Sequence, residues 1–154
     1  MGETRVVTIL IRPLVPADRP AWEPLWDAYL TFYDTTLAVG VTDEVWRRLF
    51  DPLETVGALG AFDDGELVGI CHHLFHRTTW SLKSACYLED LFTASATRGQ
   101  GIGRALVEGT AAVARGGGAD KLYWQTKATN ATARSLYDSL AHHDGYLVYD
   151  YDLA

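Results

Sequence analysis

Two adjacent acids, three glycines and two arginines are concentrated in one stretch of this chain, Tyr87-Leu88-Glu89-Asp90-Leu91-Phe92-Thr93-Ala94-Ser95-Ala96-Thr97-Arg98-Gly99-Gln100-Gly101-Ile102-Gly103-Arg104. Glycines at 99, 101 and 103 let a backbone approach a ligand closely and adopt conformations that other residues avoid. A helix that starts there presents N–H groups and the positive end of its dipole, a combination that suits a pyrophosphate. Arg98 and Arg104 can add charge-assisted bonds. The spacing is Gly-x-Gly-x-Gly rather than the Gly-x-Gly-x-x-Gly of a dinucleotide fold, and no Gly-Lys-Ser/Thr of a Walker loop occurs. Glu89 and Asp90 are neighbours on a strand-like run, so alternation sends them to opposite faces and only one can face a given cleft. Alternation groups Ala85, Tyr87 and Glu89 on one face and Leu88, Asp90 and Phe92 on the other.

Other residues invite chemistry with less support. His72, His73 and His76 suggest a metal, but His72 and His76 lie too far apart along a strand for one ion and His73 points away. No nearby acid or cysteine completes a set, so no metal is expected. His142-His143 read as part of a loop. Cys71 and Cys86 sit in apolar strand-like stretches without metal spacing and read as reduced core thiols.

The elements that must position these groups follow from the hydrophobic pattern. Val6 to Arg12 reads as a first strand ended by Pro13. Pro16-Ala17-Asp18 opens a helix carrying Trp22, Leu25, Trp26, Tyr29 and Tyr33 on one face, a stripe that can pack a core or line a cleft, with Tyr29 a candidate for the substrate side. Thr42 is the expected N-cap of a second helix reaching Asp51-Pro52. Val56 to Phe62 and Leu67 to Phe75 form a hairpin around Asp63-Asp64-Gly65-Glu66, Arg77 to Ser84 a loop, and Ala85 to Thr93 a further strand. Ile102 to Ala114 is a helix stopped by Gly116-Gly117-Gly118. Leu122 to Thr126 is expected as a strand, Asn130 to Leu140 as a helix and Tyr146 to Leu153 as a closing strand. Antiparallel strands followed by a strand–loop–helix–strand unit define an α/β class with a mixed sheet.

The 154 residues suit a single domain over 1–154, with a normal 48% hydrophobic content. Twenty acidic against 13 basic side chains give a net charge of −7. Such a field repels phosphate backbones and anionic lipid and attracts cations, so neither nucleic acid nor membrane is expected as a partner. No apolar run approaches the roughly 20 residues of a membrane span, and the first residues lack a signal-peptide profile. A cytoplasmic location is expected.

Arg98-Gly99-Gln100-Gly101-Ile102-Gly103 resembles the Arg/Gln-x-x-Gly-x-Gly/Ala signature of the GNAT N-acetyltransferase superfamily. The likeness extends to Trp124-Gln125-Thr126 and to Asn130-x-x-Ala133-x-x-x-Tyr137. It implies a GNAT fold, with a mixed central sheet, antiparallel N-terminal strands and helices on both faces. It also implies transfer of acetyl from acetyl-CoA to a primary amine by direct attack in a ternary complex. On this resemblance, backbone groups of Leu91, Phe92 and Thr93 hold the pantetheine arm, and the segment Gly99 to Arg104, with Arg98, holds the pyrophosphate. Asn130 and Ala133 belong to the same cofactor set. Tyr137 serves as general acid toward the thiolate, and acids at 89 and 90 hold the substrate ammonium, with Glu89 favoured as catalytic carboxylate and Asp90 in reserve. Tyr87 to Phe92 further resembles the spermidine/spermine (diamine) and histone/polyamine acetyltransferases, implying a polyamine acceptor. An antibiotic, protein-lysine or amino-acid acceptor, or an acyl-CoA sensor without turnover, are the alternatives. Most members carry two strands after the Tyr137 helix, whereas only Gly145 to Leu153 remains here, so a homodimer that supplies the missing edge is expected.

Overall fold

A computed structural model describes residues 6–154 of the chain. They fall into two compact units, one reaching as far as Trp124 and the other Gln125–Ala154. The first contains β1 (Ile9–Pro13), α1 (Arg19–Phe32, preceded by a 3-10 turn at Pro16–Asp18), α2 (Val41–Leu49), β2 (Val56–Asp63), β3 (Glu66–Arg77), β4 (Ser84–Thr93), α3 (Ile102–Gly116) and β5 (Ala119–Tyr123). The second contains α4 (Ala131–Leu140).

The five strands form one sheet in the order β1-β2-β3-β4-β5, with antiparallel pairing from β1 to β4 and β5 parallel to β4. This is the mixed α/β sheet that the pattern implied. Alternation along the strands divides the core into two layers. On one face, Trp22, Trp26 and Trp46 from α1 and α2 pack with Ala58, Phe62, Leu67 and Ile70. On the other, Ile102 and Leu106 of α3 pack with Leu59, Ala61, Val68 and Cys71. The hydroxyl of Thr110, also on α3, lies 3.3 Å from Cys71 Sγ and donates to the Leu106 carbonyl. Burial pushes the Cys71 and Cys86 thiols up to about 11, so both are neutral and inert near neutral pH.

Three expected elements differ. The N-cap of α2 is Gly40, at φ 89° in the left-handed region, rather than Thr42. Thr42 lies inside the helix, where its hydroxyl accepts from Trp26 Nε1 at 3.2 Å. β5 spans Ala119–Tyr123 instead of Leu122 to Thr126. Gly118, at φ 81°, turns the chain directly out of α3, and an edge strand tolerates the exposed Asp120 and Lys121 that hid its start. The closing strand does not form: residues 141–154 carry no regular structure, and Tyr146, Leu147, Tyr149 and Tyr151 are exposed. Alternation marks a segment able to pair, but pairing needs a partner strand.

Among the described residues, no helix is long and apolar enough to cross a membrane.

Candidate active site

The acids at 89 and 90 lie at an irregularity in β4. His72 pairs with Asp90 and His73 with Leu88, so Glu89 is the extra residue of a β-bulge. A bulge resets alternation, and the packing shows it. Before the bulge, Cys86 lies against Ala114 and Ala119 on the α3 side. After it, Leu91 takes that side, whereas Phe92 turns with Asp90 toward α1. The grouping of Leu88, Asp90 and Phe92 by simple alternation is therefore wrong across residue 89, and so is the inference that Glu89 and Asp90 must oppose each other.

Asp90 is held from two directions. Tyr29 of α1 donates its hydroxyl to Asp90 Oδ1 at 2.7 Å, and His72 Nδ1 lies 2.9 Å from Asp90 Oδ2. Trp22 donates its indole N–H to His72 Nε2 at 3.0 Å. The aromatic stripe therefore divides its labour. Trp22 and Trp26, at 0% and 6% exposure, are core, while half-buried Tyr29 stacks on Trp26 and reaches the acid pair. Burial first, then the negative Asp90, holds the Tyr29 hydroxyl protonated far above the usual phenol range. It is a donor and not a base.

Glu89 differs from Asp90. Its side chain reaches solvent, yet surrounding atoms desolvate its carboxyl and the Asp90 charge adds repulsion, so its pKa is raised. Tyr87 lies in the same field, raised by burial and then by Glu89, and its ring sits 4.9 Å from that of Tyr123.

β4 is bonded to β3 along its length, including Cys71 with Leu91, Ile70 with Phe92 and Gly69 with Thr93. Its ladder to β5 ends at Tyr87 and Tyr123. The backbone groups of Leu88 to Thr93 that point away from β3 therefore have no β5 strand beside them, an edge on which an extended ligand can lie. Just beyond, Gly99 and Gly101 take φ 80° and 79°, and Gly101 caps α3. Open space lies where a side chain on either would begin. First-turn N–H groups of a helix have no carbonyl ahead of them in that helix, and here they belong to Ile102 and Gly103. Ile102 offers only its backbone, because its side chain is 2% exposed and locked in the core. Gln100 is exposed beside the cradle. Arg98 extends its guanidinium over the rings of Phe92 and Phe32, at 5.7 and 6.0 Å, and Arg104 lies 3.7 Å from Glu108. Open edge and glycine cradle together fit a nucleotide-linked pantetheine.

In the second unit, Asn130 caps α4, its side chain accepting from the Ala133 N–H at 3.4 Å. Tyr137 lies on α4 one turn past Ala133 and is half-buried. Among the described residues, no group of three His, Cys, Asp or Glu side chains could hold a metal ion. His76 instead shares a 2.7 Å bond with the Tyr123 hydroxyl.

The sequence singled out Tyr29, Glu89 and Asp90, and the structure brings them together. In the sequence Trp22 reads only as part of the aromatic stripe, and His72 only among histidines weighed as metal ligands or as a proton acceptor near the substrate mouth. The i, i+7 spacing of Trp22 and Tyr29 on one face of α1 was visible, but a bond from Trp22 to a residue 50 positions away was not.

A strand edge that opens beside a carboxylate pair and ends in a glycine-capped helix is an arrangement along which an extended acyl-CoA can lie. Comparison with known proteins agrees: residues 19–141 match the model of the acetyltransferase (GNAT) family. The chain belongs to that family and is an acetyl-CoA-dependent N-acetyltransferase. It is 31% identical over 143 residues to the D-amino-acid N-acetyltransferase HPA3 of Saccharomyces cerevisiae, covering 92% of this chain and 89% of that one. Its fold resembles that of an aminoglycoside acetyltransferase from an uncultured soil metagenomic sample (TM-score 0.81, 18% identity, 95% and 97% of the two chains). It also resembles an aminoglycoside N-acetyltransferase solved with CoA (TM-score 0.82, 11% identity, 99% and 100%).

Proposed function

We propose that this chain acetylates the primary amine of a small molecule in one direct step at the Glu89–Asp90 bulge. The observation that carries this reading is Glu89, a carboxylate that reaches solvent with a raised pKa beside the open edge of β4. A base is most effective when its pKa approaches the working pH, and Glu89 is shifted in that direction.

The ammonium is held by the acid pair and loses one proton to Glu89, directly or through a water. The amine nitrogen then bonds to the acetyl carbon while the carbon–sulfur bond breaks. The thiolate leaves as the CoA thiol with a proton from Tyr137, and the second proton on the new amide nitrogen restores that tyrosine. The role of Tyr137 rests on the family motif. The cofactor roles rest on the same motif, which assigns the pantetheine arm to Leu91, Phe92 and Thr93, with Asn130 and Ala133 in the same set, and the pyrophosphate to Arg98, Gly99, Gln100, Gly101, Ile102, Gly103 and Arg104. Tyr29, committed to Asp90, lines the substrate side.

Two acceptors have specific support. The net charge of −7 and the paired carboxylates favour a polyamine. The likeness to a D-amino-acid N-acetyltransferase favours an amino acid. The alternating, exposed Tyr146 to Leu153 segment suits pairing with a second copy, and a concentration-independent monomer mass would exclude that homodimer.

The test is release of free CoA from acetyl-CoA against spermidine, spermine, diamines, D- and L-amino acids, lysine peptides and aminoglycosides, for wild type and Tyr137→Phe. Turnover of polyamines or amino acids, strongly reduced in the variant, supports the proposal and chooses the acceptor. CoA binding without turnover on any amine overturns it in favour of a sensor.

A further inference from the structure

We propose that Trp22 and His72 are positioning residues: the ordered chain Trp22 to His72 to Asp90 holds Asp90 as a fixed anion beside Glu89, the group that takes the proton from the amine. This rests on the role of Glu89 proposed above.

The order of the chain follows from donor chemistry. An indole N–H can only donate, so the 3.0 Å bond from Trp22 makes His72 Nε2 an acceptor. A neutral imidazole with one accepting nitrogen carries its proton on the other, so Nδ1–H donates to Asp90 Oδ2 at 2.9 Å. Tyr29 supplies a second donor to the remaining oxygen. A carboxylate with a donor on each oxygen favours its charged form. Protonating His72 at both nitrogens would set two donors against each other at Nε2.

The surroundings make the arrangement rigid. The Trp22 ring lies 4.7 Å from Trp46 and 5.8 Å from Trp26, and the Trp26 ring meets His72 edge-on at 5.1 Å. Among the described residues, the titratable groups that interact with Asp90 or Glu89 are Tyr29 from α1, Cys71 and His72 from β3 and Tyr87 from β4. The consequence is a division of roles between the two acids. Asp90 has both oxygens engaged by donors, while Glu89 reaches solvent beside it. Without its donors the Asp90 carboxylate is free to turn away from Glu89, and Glu89 loses the neighbouring charge that helps to raise its pKa.

Nitrogen-15 NMR of the His72 ring and the pH dependence of kcat test this. The wild type should show His72 protonated at Nδ1 alone near neutral pH; Nε2–H or an imidazolium overturns the proposal. Trp22→Phe keeps an aromatic ring but removes the donor and leaves some space in the core, and should lower kcat roughly tenfold with KM for acetyl-CoA unchanged. His72→Leu should move the acid limb of kcat to lower pH, because the Asp90 charge is no longer held against Glu89. His72→Asn, whose amide N–H can stand in for Nδ1–H, should reverse part of that shift, and equal limbs in wild type, His72→Leu and His72→Asn overturn the proposal. The carboxyl carbon-13 titration of Glu89 reads the same shift without turnover. An inactive wild type would therefore refute the proposed function, while the tautomer and this titration would still decide the inference.

Discussion

His72 and His73 follow one another on β3 at 5% and 7% exposure, yet the first has a partner at each ring nitrogen and the second has none at Nδ1. The difference is one of faces. His72 points to α1, where Trp22 and Asp90 meet it. His73 points to the α3 side, beside Phe75 and over Gly57, where a Cβ would come within 2.7 Å of its ring. Burial, with His72 adding, lowers the His73 pKa to about 4. Equal burial of one residue type thus gives an ordered hydrogen-bond relay on one face of the sheet and a desolvated neutral ring on the other.

Breaking the two faces separately sharpens this contrast. The largest effect is expected at the acid pair: Asp90→Asn removes the anion beside Glu89 and should lower kcat roughly a hundredfold, measured by CoA release. An unchanged kcat would deny the relay any catalytic meaning.

His73 should govern stability and leave activity alone. Its neutral form is favoured by folding, so its contribution is complete above pH 6.5 and falls as pH drops toward about 4. The loss amounts to about 3 kcal/mol at most. His73→Leu should flatten the acid side of a urea-melt stability curve at unchanged kcat. A curve as steep as that of the wild type would show that His73 is not the group responsible.

A smaller, local effect is expected at the cradle. Gly101→Ala forces a side chain into φ 79° at the start of α3. It should cost about 1–2 kcal/mol of stability and raise KM for acetyl-CoA more than it lowers kcat. The smallest effect, essentially none on kcat, is expected for Cys71→Ala, since a thiol raised to about 11 is no nucleophile. A large loss of kcat in a folded variant would reopen a covalent route.

Much of this was legible in the sequence because it depends on local signals. The hairpin at Asp63-Asp64-Gly65-Glu66, the glycine-capped α3 and the helix after Asn130 are all marked by turn and cap residues. The bulge at Glu89 was not legible, because an inserted residue leaves hydrophobic composition unchanged while reversing every face beyond it. Nor was the Trp22–His72 bond, which depends on how α1 settles on β3. The start of β5 was masked by Asp120 and Lys121, tolerable only because that strand is an edge. Tyr146 to Leu153 shows the converse, a clear alternation with no strand formed.

The most direct measurement of the central claim is the pH dependence of kcat for CoA release in wild type and Glu89→Gln, with the best amine acceptor. The wild-type rate should rise with pH through a Glu89 pKa above the ordinary carboxylate value, since the protonated form cannot accept the proton of the amine. Glu89→Gln should lose this limb and fall by roughly a hundredfold or more at neutral pH. A variant that keeps both the wild-type rate and its acid limb would contradict the account, and the base would have to be sought elsewhere.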